Sequence, residues 1–332
     1  MRFSLFYNFD VTPEKDIPEL YRDVEEQSIL ADRLGFDAVW LAEHHFTVYG
    51  RLPSPLTYLT WIGAKTTQLG LGTAVIEAPY YHPLRLAEDA ALLDVLSGGR
   101  MRLGIGSGAR MKPEEFAKFG LPMEEKSART LEIIDVVQQG LANPGIQYDG
   151  QWYRYHGVEI NPKPVQKAHN LIWVAASQTT VEVAGERGYG LLIPRVGAAD
   201  GHKALIQRYR AAANGRPSFV SMLRFVYVAE TEHEAKEQTR KTFERYARYD
   251  CGVDWDGRTD SDEYEDLAER MHFVIGTPDQ VTETLQAWQN EYGHDEIMCQ
   301  LYAAGMEHAD SMRSLELLGT EVMPKLLDGV KV

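Results

Sequence analysis

Short apolar runs alternate along the chain with longer segments in which apolar residues recur at helical spacing. Apolar runs bounded by turn residues are typical of buried strands, and a three-to-four-residue spacing is typical of amphipathic helices. The strand-like runs cover residues 2–8, 37–42, 69–76, 101–106, 171–176, 190–193, 221–228 and 296–302. Eight strands separated by helices predict an α/β fold, a (β/α)8 TIM barrel. An open doubly wound sheet is the alternative, because it has the same local pattern.

Turn and capping residues set the expected ends of the helices. Thr12 followed by Pro13 predicts a helix start, and Gly35 predicts the end of that helix, since glycine favours the conformation that terminates helices. Further helices are expected at residues 54–66, 83–97 and 124–141. Another helix is expected after the strand at 221–228, and one more is expected to begin after Thr277. We expect the acidic stretch 252–270 to be a loop with some helix that serves as a lid.

The segment 142–168 interrupts this alternation. Asp149-Gly150 lies between two stretches with strand character, and Asp-Gly is a strong signal for a tight hairpin turn. We therefore expect an inserted hairpin excursion in this segment. No obvious linker divides the chain, which favours a single domain over residues 1–332.

Composition narrows the range of partners. The chain has 44% apolar and 25% charged residues and a formal net charge of −15, and this acidic excess argues against a nucleic-acid partner. Its apolar runs are too short to span a bilayer, so no membrane association is expected. Cys251 and Cys299 are far apart and form no metal-ligand pattern. They fit a reducing cytosol, so we expect a cytoplasmic protein without disulfides.

The most informative polar cluster follows the second predicted strand, where Glu43, His44 and His45 occur in succession. The carboxyl ends of barrel strands form the functional face, and an imidazole there suits proton transfer near neutral pH. We expect no metal site, because the chain lacks a His-x-His or His-Glu-x-x-His pair and adjacent side chains on an extended backbone point apart. A structural role for one histidine inside the barrel mouth remains the alternative.

A glycine-rich turn follows the fourth predicted strand, with Gly104, Gly106, Ser107 and Gly108 in close succession. Its G-x-G-x-G spacing departs from the dinucleotide-binding fingerprint, and the strand is the fourth instead of the first. Glycines let a backbone approach a phosphate or a flat ring closely. A tight turn at a barrel corner is the alternative.

Hydroxyl side chains follow the fifth predicted strand, at Ser177, Thr179 and Thr180. Hydroxyls and free amides at a helix start suit an anion, although ordinary helix capping explains them equally. Arg110 and Arg195 are expected on neighbouring loops of the same face, where each either adds charge to a bound phosphate or is simply solvated.

Aromatic residues are frequent near the first three strand ends. They suit the wall of a dry pocket for a planar cofactor and an apolar substrate, although many aromatic residues serve only in packing. The candidate substrate-pocket residues are Phe6, His45, Phe46 and Tyr80.

The run from Leu41 to Gly50, with His44-His45-Phe46 at its centre, resembles the corresponding stretch of the α subunit of bacterial luciferase. Further similar stretches are Gly72-Thr73-Ala74-Val75-Ile76, His82-Pro83, Ala87-Glu88-Asp89, Glu186-Arg187-Gly188, Gly276-Thr277-Pro278 and Glu321-Val322-Met323-Pro324. The likeness covers nearly the whole chain. The sequence thus resembles the luciferase-like flavin-dependent monooxygenases.

This resemblance implies a barrel that binds reduced FMN supplied in trans by a separate NAD(P)H:flavin reductase. In that family the flavin reacts with O2 to form a C4a-peroxide, which attacks a small organic substrate such as an aldehyde or ketone. His44 matches the family's catalytic histidine, and Ser177 and Thr180 match hydroxyl positions near the flavin phosphate. Ala74-Val75 matches a position where the family can hold a non-proline cis peptide under the flavin ring.

The chain also departs from the luciferase pattern. Gly106-Ser107 stands where luciferase carries a Cys-Arg pair, so we expect the flavin phosphate to recruit either Arg110 as the substitute for that arginine or no arginine from this loop. Ala176 replaces the acid that precedes the matching serine. We therefore expect a monooxygenase without useful light emission.

Alternatives within the same superfamily are a hydride-transfer enzyme that uses the deazaflavin F420, and a non-catalytic flavoprotein or partner subunit. The resemblance also implies a homodimer. We expect an apolar, small-residue face of the second helix either to serve as its interface or to pack on the barrel. This face comprises Leu56, Leu59, Ile62 and Gly63.

Overall fold

The computed structural model describes residues 1–47, 49–108 and 113–327 of the chain. The strands are β1 (Arg2–Tyr7), β2 (Ala38–Leu41), β3 (Gly70–Thr73), β4 (Ile76–Glu77), β5 (Met101–Gly106), β6 (Ile146–Asp149), β7 (Arg154–Val158), β8 (Ile172–Ala175), β9 (Gly190–Ile193), β10 (Val220–Val228), β11 (Phe273–Gly276) and β12 (Glu296–Gln300). The helices are α1 (Ile17–Leu34), α2 (Pro55–Gly63), α3 (Pro83–Leu96), α4 (Pro113–Lys118), α5 (Lys126–Ala142), α6 (Ala168–Leu171), α7 (Val181–Arg187), α8 (Ala199–Ala213), α9 (Glu232–Tyr246), α10 (Asp262–Met271), α11 (Pro278–Tyr292), α12 (His308–Leu317) and α13 (Met323–Leu327).

Eight parallel strands close into a barrel in the order β1, β2, β3, β5, β8, β9, β10 and β12. The pairing of β9 with β10, in which Leu191 lies opposite Val220, joins the two halves of the sheet. The pairing of β12 with β1, in which Ile297 lies opposite Phe3, completes the ring. The predicted (β/α)8 barrel is therefore confirmed, and the open doubly wound sheet is wrong. The predicted hairpin is also present, as the antiparallel pair β6 and β7.

Three local predictions differ from the structure. The first helix begins after Asp16, whose carboxylate accepts a hydrogen bond from the backbone N–H of Glu19, so Thr12 is not its cap. The third predicted strand is interrupted at Ala74-Val75, and it continues as β4. Strand β11 has no counterpart in the prediction, and it pairs in parallel with the C-terminal half of the long strand β10.

Two tryptophans fill the inside of the barrel. The rings of Trp40 and Trp173 meet edge to face with their centres 5.1 Å apart. A Cβ on Gly72 would lie 2.2 Å from the Trp40 ring, and a Cβ on Gly190 would lie 2.2 Å from the Trp173 ring. Such distances are far below van der Waals contact, so glycine at these two positions provides the space that the indoles occupy. The interior of the barrel is therefore a packed core.

The helices pack around this barrel through one large cluster of buried apolar side chains. On α2, the predicted interface residues Leu56, Leu59 and Ile62 belong to that cluster and are buried. They pack on the barrel, which was the second of the two roles expected for them. Within the described ranges, no helix has both the length and the apolar character needed to cross a membrane.

Candidate active site

The mouth of the barrel collects polar side chains from several loops. Because all eight strands are parallel, their carboxyl ends lie at one edge of the barrel. Asn8 directly follows β1, His44 follows β2, and Ser177 follows β8. Side chains that are far apart in sequence therefore meet at one end of the fold.

His44 is held by contacts on several sides. Its Nε2 lies 2.7 Å from Oδ1 of Asn8, and its ring meets the ring of Tyr49 edge to face at 5.3 Å. A Cβ on Gly50 would lie 2.1 Å from Cδ2 of His44, so the glycine backbone lies directly against the imidazole edge. His44 also lines a cavity of about 310 Å³ together with Phe46, Thr47, Gly50, Arg51 and Pro53.

His45 has a different environment, formed by a buried carboxylate. Its Nε2 lies 2.7 Å from Oε1 of Glu43, and the second oxygen of Glu43 accepts hydrogen bonds from the Tyr81 hydroxyl at 3.0 Å and the Glu77 amide at 3.3 Å. Burial raises the pKa of Glu43, while the hydrogen bond from His45 opposes that rise. The neighbouring histidines thus contact different partners. Among the described residues, no group of three or more potential metal ligands comes together.

An aromatic wall stands beside His45. Tyr80 stacks on Phe119 with ring centres 4.1 Å apart, and His45 meets Phe119 edge to face at 5.0 Å. Phe46 also contacts Phe119, at 5.3 Å, and remains 64% exposed. Of the predicted pocket residues, His45, Phe46 and Tyr80 are brought together here. Phe6 lies instead in the barrel interior and is 6% exposed.

Sequence reasoning missed the contribution of α4 to this wall. Phe116 lies in α4, and Phe119 directly follows its last residue, Lys118. Their spacing of three residues is that of neighbours on one helix face, and this signal was available in the sequence. Tyr80 contacts the Phe116 ring at 5.0 Å, and its hydroxyl donates to Oε1 of Glu115 at 3.1 Å. Burial, together with nearby carboxylates, raises the pKa of Tyr80, so this phenol stays protonated at neutral pH.

A shelf of small side chains lies at the ends of β3, β5 and β8. We call it the small-residue shelf, and it comprises Ala74, Val75, Gly106, Ala175 and Ala176. The peptide bond between Ala74 and Val75 is cis, as the family resemblance implied. A Cβ on Gly106 would lie 2.4 Å from Cγ2 of Val75 and 3.4 Å from Cβ of Ala175. The absence of a side chain at Gly106 therefore allows the three strand ends to pack together.

The loop after the shelf on β5 continues through Ser107 and Gly108. Gly108 has a φ of 81°, which favours glycine, and its carbonyl accepts a hydrogen bond from Nζ of Lys126 at 3.1 Å. Arg110, the expected substitute for the luciferase arginine, lies outside the described residues.

The predicted hydroxyl cluster forms a compact group after β8. Oγ of Ser177 lies 2.8 Å from Oγ1 of Thr180 and 3.0 Å from Oγ1 of Thr179, and it accepts from the backbone amides of both threonines. Oγ1 of Thr180 donates to the Ala175 carbonyl at 2.6 Å, which ties the group to the shelf. Arg208 of α8 contacts the same loop through the carbonyl and the side chain of Gln178. Arg208 and Gln178 are 30 positions apart, so the local sequence pattern gave no sign that this arginine contacts the loop.

Arg195 is buried, so of its two expected roles that of a solvated side chain is wrong. It is 5% exposed, its NH1 donates to Oδ2 of Asp250 at 2.7 Å, and its guanidinium lies 4.4 Å from the centre of the Tyr246 ring. It lines a second cavity of about 550 Å³ with residues of the β9–α8 loop and the end of α10. Its charge is therefore largely balanced by Asp250.

Comparisons with known proteins identify the family to which this chain belongs. The sequence model of the luciferase-like monooxygenases matches residues 1–295. The chain is 28% identical to the oxygenase component of a flavin-dependent trigonelline monooxygenase from Acinetobacter baylyi, over 98% of this chain and 95% of the relative. It is 26% identical to an alkanal monooxygenase alpha chain from Photorhabdus luminescens, over 98% of each chain.

The crystal structure of monooxygenase RslO1 from Streptomyces bottropensis is similar throughout. It superposes with a TM-score of 0.89 at 27% sequence identity, and the match covers 98% of this chain and 100% of that one. By sequence and by fold, this chain belongs to the luciferase-like monooxygenase family and is an oxidoreductase.

Proposed function

We propose that this chain is the oxygenase component of a two-component monooxygenase that uses reduced FMN and O2 to oxidise a small apolar organic compound. The observation that carries the proposal is the juxtaposition, at one barrel mouth, of the small-residue shelf, the hydroxyl cluster and His44. The name of the Acinetobacter relative, a flavin-dependent oxygenase component, supports a partner that reduces the flavin. We propose an NAD(P)H:flavin reductase in that role.

The residues at the shelf fit a flavin. A planar ring needs a floor without bulky side chains, and the shelf carries nothing larger than Val75. Ser177, Thr179 and Thr180 would hold the phosphate at one end of this floor, because hydroxyl groups reorient readily to donate to an anion. Arg208 contacts the same loop and pairs with Glu182 at 2.6 Å, so it would add only the part of its positive charge that this carboxylate leaves unbalanced. Bound there, reduced FMN would supply the electrons that activate O2.

His44 would hold or move a proton beside the reacting atoms. The aromatic wall of Tyr80, Phe116 and Phe119 would keep water away from the reaction. Phe46, which is largely exposed at the edge of that wall, would contact an incoming apolar substrate. An aldehyde or ketone without charged groups suits such a surface, because it loses little hydration energy on burial.

Oxygen incorporation tests this function. The chain would be supplied with FMN, a flavin reductase and NADH under labelled O2, and aldehydes and ketones would be screened for products that contain one labelled oxygen atom. Product formation that needs O2 supports the monooxygenase. Turnover with reduced F420 in the absence of O2 would replace it by hydride transfer. Flavin binding without turnover across the screen would indicate a non-catalytic flavoprotein.

The His44→Ala variant tests the catalytic assignment. We expect turnover to fall by about 100-fold or more, the usual contribution of a proton-transferring side chain, while FMN affinity stays nearly unchanged. His156→Ala is the matched control, because the His156 side chain is 66% exposed on the β6–β7 hairpin. Normal turnover in His44→Ala would remove His44 from the reaction.

We also propose a homodimer, in which α2 and α3 form the interface. Their outer faces expose large apolar side chains, namely Trp61, Leu92, Val95 and Leu96. Leu96 is 64% exposed and Trp61 is 53% exposed, and burying such side chains against a second copy would be favourable.

A further inference from the structure

We propose that Asn8 is a positioning residue that fixes the tautomer of His44. In this assignment Nε2 always carries a proton, and Nδ1 is the nitrogen that takes up and releases a proton. The assignment of the tautomer depends only on the geometry around the ring. Its consequence for turnover rests on the proposed function of His44.

The barrel register brings Asn8 to His44. Tyr7, the last residue of β1, lies opposite Leu41, the last residue of β2. Asn8 therefore leaves its strand beside the loop that carries His44. Its side chain is buried at the mouth, with the residue 6% exposed, and Oδ1 lies 2.7 Å from Nε2 of His44. This distance is that of a well-formed hydrogen bond.

The orientation of the Asn8 amide is set by a second contact. Nδ2 of Asn8 donates to the backbone carbonyl of Tyr49 at 3.3 Å. A reversed amide would place Oδ1 against that carbonyl, and two acceptors would then face each other. The amide oxygen therefore faces the imidazole. Since an amide oxygen only accepts, Nε2 of His44 must be the donor.

The consequence for proton transfer follows from imidazole chemistry. A neutral imidazole carries one proton, and Asn8 assigns it to Nε2. The imidazolium carries a proton on both nitrogens, so the proton that is gained and lost belongs to Nδ1. The Gly50 backbone against the Cδ2 edge and the Tyr49 ring oppose a 180° flip of the imidazole, which would bring Cε1 in place of Nε2 opposite Asn8.

Charged and titratable side chains also lie near the Asn8–His44 pair. Tyr49 contacts the ring, Arg51 lines the same cavity, and Asp10 follows Asn8 by two residues and is buried. Burial raises the pKa of Tyr49, so its phenol is neutral near pH 7. None of these three side chains is changed when Asn8 alone is replaced, so we attribute a change in the His44 tautomer to the loss of the Asn8 amide.

Nitrogen NMR of the full-length chain tests the tautomer directly, without flavin or substrate. With histidine labelled with ¹⁵N in the ring, protonated and unprotonated nitrogens have distinct shifts, and couplings to the ring C–H protons distinguish Nε2 from Nδ1. The spectrum of His44→Ala identifies the His44 signals. We expect Nε2 to be the protonated nitrogen at high pH. Finding the proton on Nδ1 would overturn the proposal.

Two replacements of Asn8 separate positioning from folding. Asn8→Ala removes the acceptor, and we expect the His44 signals to shift toward a mixture of tautomers while the His45 signals stay unchanged. Asn8→Asp keeps an acceptor and adds a negative charge, so we expect the Nε2–H tautomer to persist and the pKa of His44 to rise. An unchanged tautomer in Asn8→Ala would contradict the proposal.

Turnover supplies the second readout. In Asn8→Asp the pH profile of kcat should move to higher pH with the pKa of His44, whereas a purely structural role predicts an unchanged profile. If the tautomer is as assigned but neither His44→Ala nor Asn8→Asp alters turnover, the proposed function of His44 fails while the positioning by Asn8 stands. If the tautomer is wrong, the positioning fails whatever the activity.

Discussion

At the residue scale, the site depends on places where a side chain is missing. Gly50 allows its backbone to lie against His44, and Gly106 allows Val75 and Ala175 to pack at the shelf. Neither glycine has a positive φ, so their importance comes from space and not from backbone conformation. Replacing them should therefore disturb the contacts of particular neighbours before it disturbs the fold.

Gly50→Ala tests this interpretation. The new Cβ would lie 2.1 Å from Cδ2 of His44, so we expect the imidazole to be displaced from Asn8 and turnover to fall toward that of His44→Ala. Crowding of this kind typically costs about 1–3 kcal/mol of unfolding free energy. Urea unfolding and steady-state kinetics would measure the two effects.

The control for this variant is Gly201→Ala in α8. A Cβ at Gly201 would meet no atom within 4 Å, so activity should be unchanged and the helix should be stabilised slightly. Full activity in Gly50→Ala would show that the ring tolerates the added methyl group.

At the element scale, local capping signals gave correct helix ends where the cap is complete. Thr277 and Gln280 form a reciprocal capping box at the start of α11, as the Thr277-Pro278 signal predicted. The signal at Thr12 failed because Asp16 supplies a side-chain acceptor four residues later, ahead of Pro18 in the first turn of α1. Several residues near a proline can each act as the N-cap, and the helix begins after the one whose side chain accepts a hydrogen bond from a free backbone N–H.

Thr277→Ala should lower the free energy of unfolding by about 1 kcal/mol, the usual effect of removing an N-cap hydroxyl. The Thr277 hydroxyl accepts a hydrogen bond from the backbone N–H of Gln280, and this N–H would lose its partner in the variant. Thr284→Ala on the same helix is the matched control, because the Thr284 hydroxyl only bonds back to the Gln280 carbonyl. Equal stability of the two variants in chemical denaturation would contradict the capping role.

At the scale of the whole molecule, buried histidines make stability depend on pH. Burial lowers the pKa of His202 to about 4 and that of His294 to about 3. Both folded-state values lie below the unfolded value near 6.5, so the unfolded chain binds these protons more tightly. Their contribution is complete above about pH 6.5 and is lost as the pH falls, toward about 4 for His202 and toward about 3 for His294. Asp10, whose pKa burial raises to about 6, acts in the opposite direction below pH 6.

His294→Gln should flatten this dependence. We expect the free energy of unfolding of the parent chain to fall between pH 6 and 5 more steeply than that of the variant, by about 1 kcal/mol per pH unit. His156→Gln, at an exposed site, should keep the parent slope. Urea unfolding at several pH values measures both. Parallel slopes for all three proteins would show that His294 does not titrate differently in the folded and unfolded states.

The proposed dimer makes a prediction at the same scale. Leu96→Glu places a charge on the exposed face of α3 and should convert a dimer into a monomer, because an unpaired charge is costly to bury. Val196→Glu, at a 59% exposed position outside α2 and α3, should leave the oligomeric state unchanged. Sedimentation at several concentrations would distinguish these outcomes, and a monomeric parent chain would end the proposal.

The alternation of strands and helices was readable from the sequence because it depends on local periodicity. Strand positions at residues 101–106 and 190–193 agree with β5 and β9. The expected hairpin is present, although Asp149 ends β6 and the connection to β7 covers residues 150–153. The resemblance around His44 also led to the correct family, since the residues that identify it are contiguous in sequence.

The sequence patterns did not predict which side chains that are distant in sequence contact each other. The contacts of His44 with Asn8, of Tyr80 with Phe119, and of Arg195 with Asp250 each join residues at least 36 positions apart. Only barrel closure brings such loops to one mouth, because side-chain distances there depend on strand register and not on local pattern. Periodicity along the chain therefore determined the elements, and contiguous motifs determined the family. Tertiary packing decided that Arg195 is buried and which atom of His44 faces Asn8.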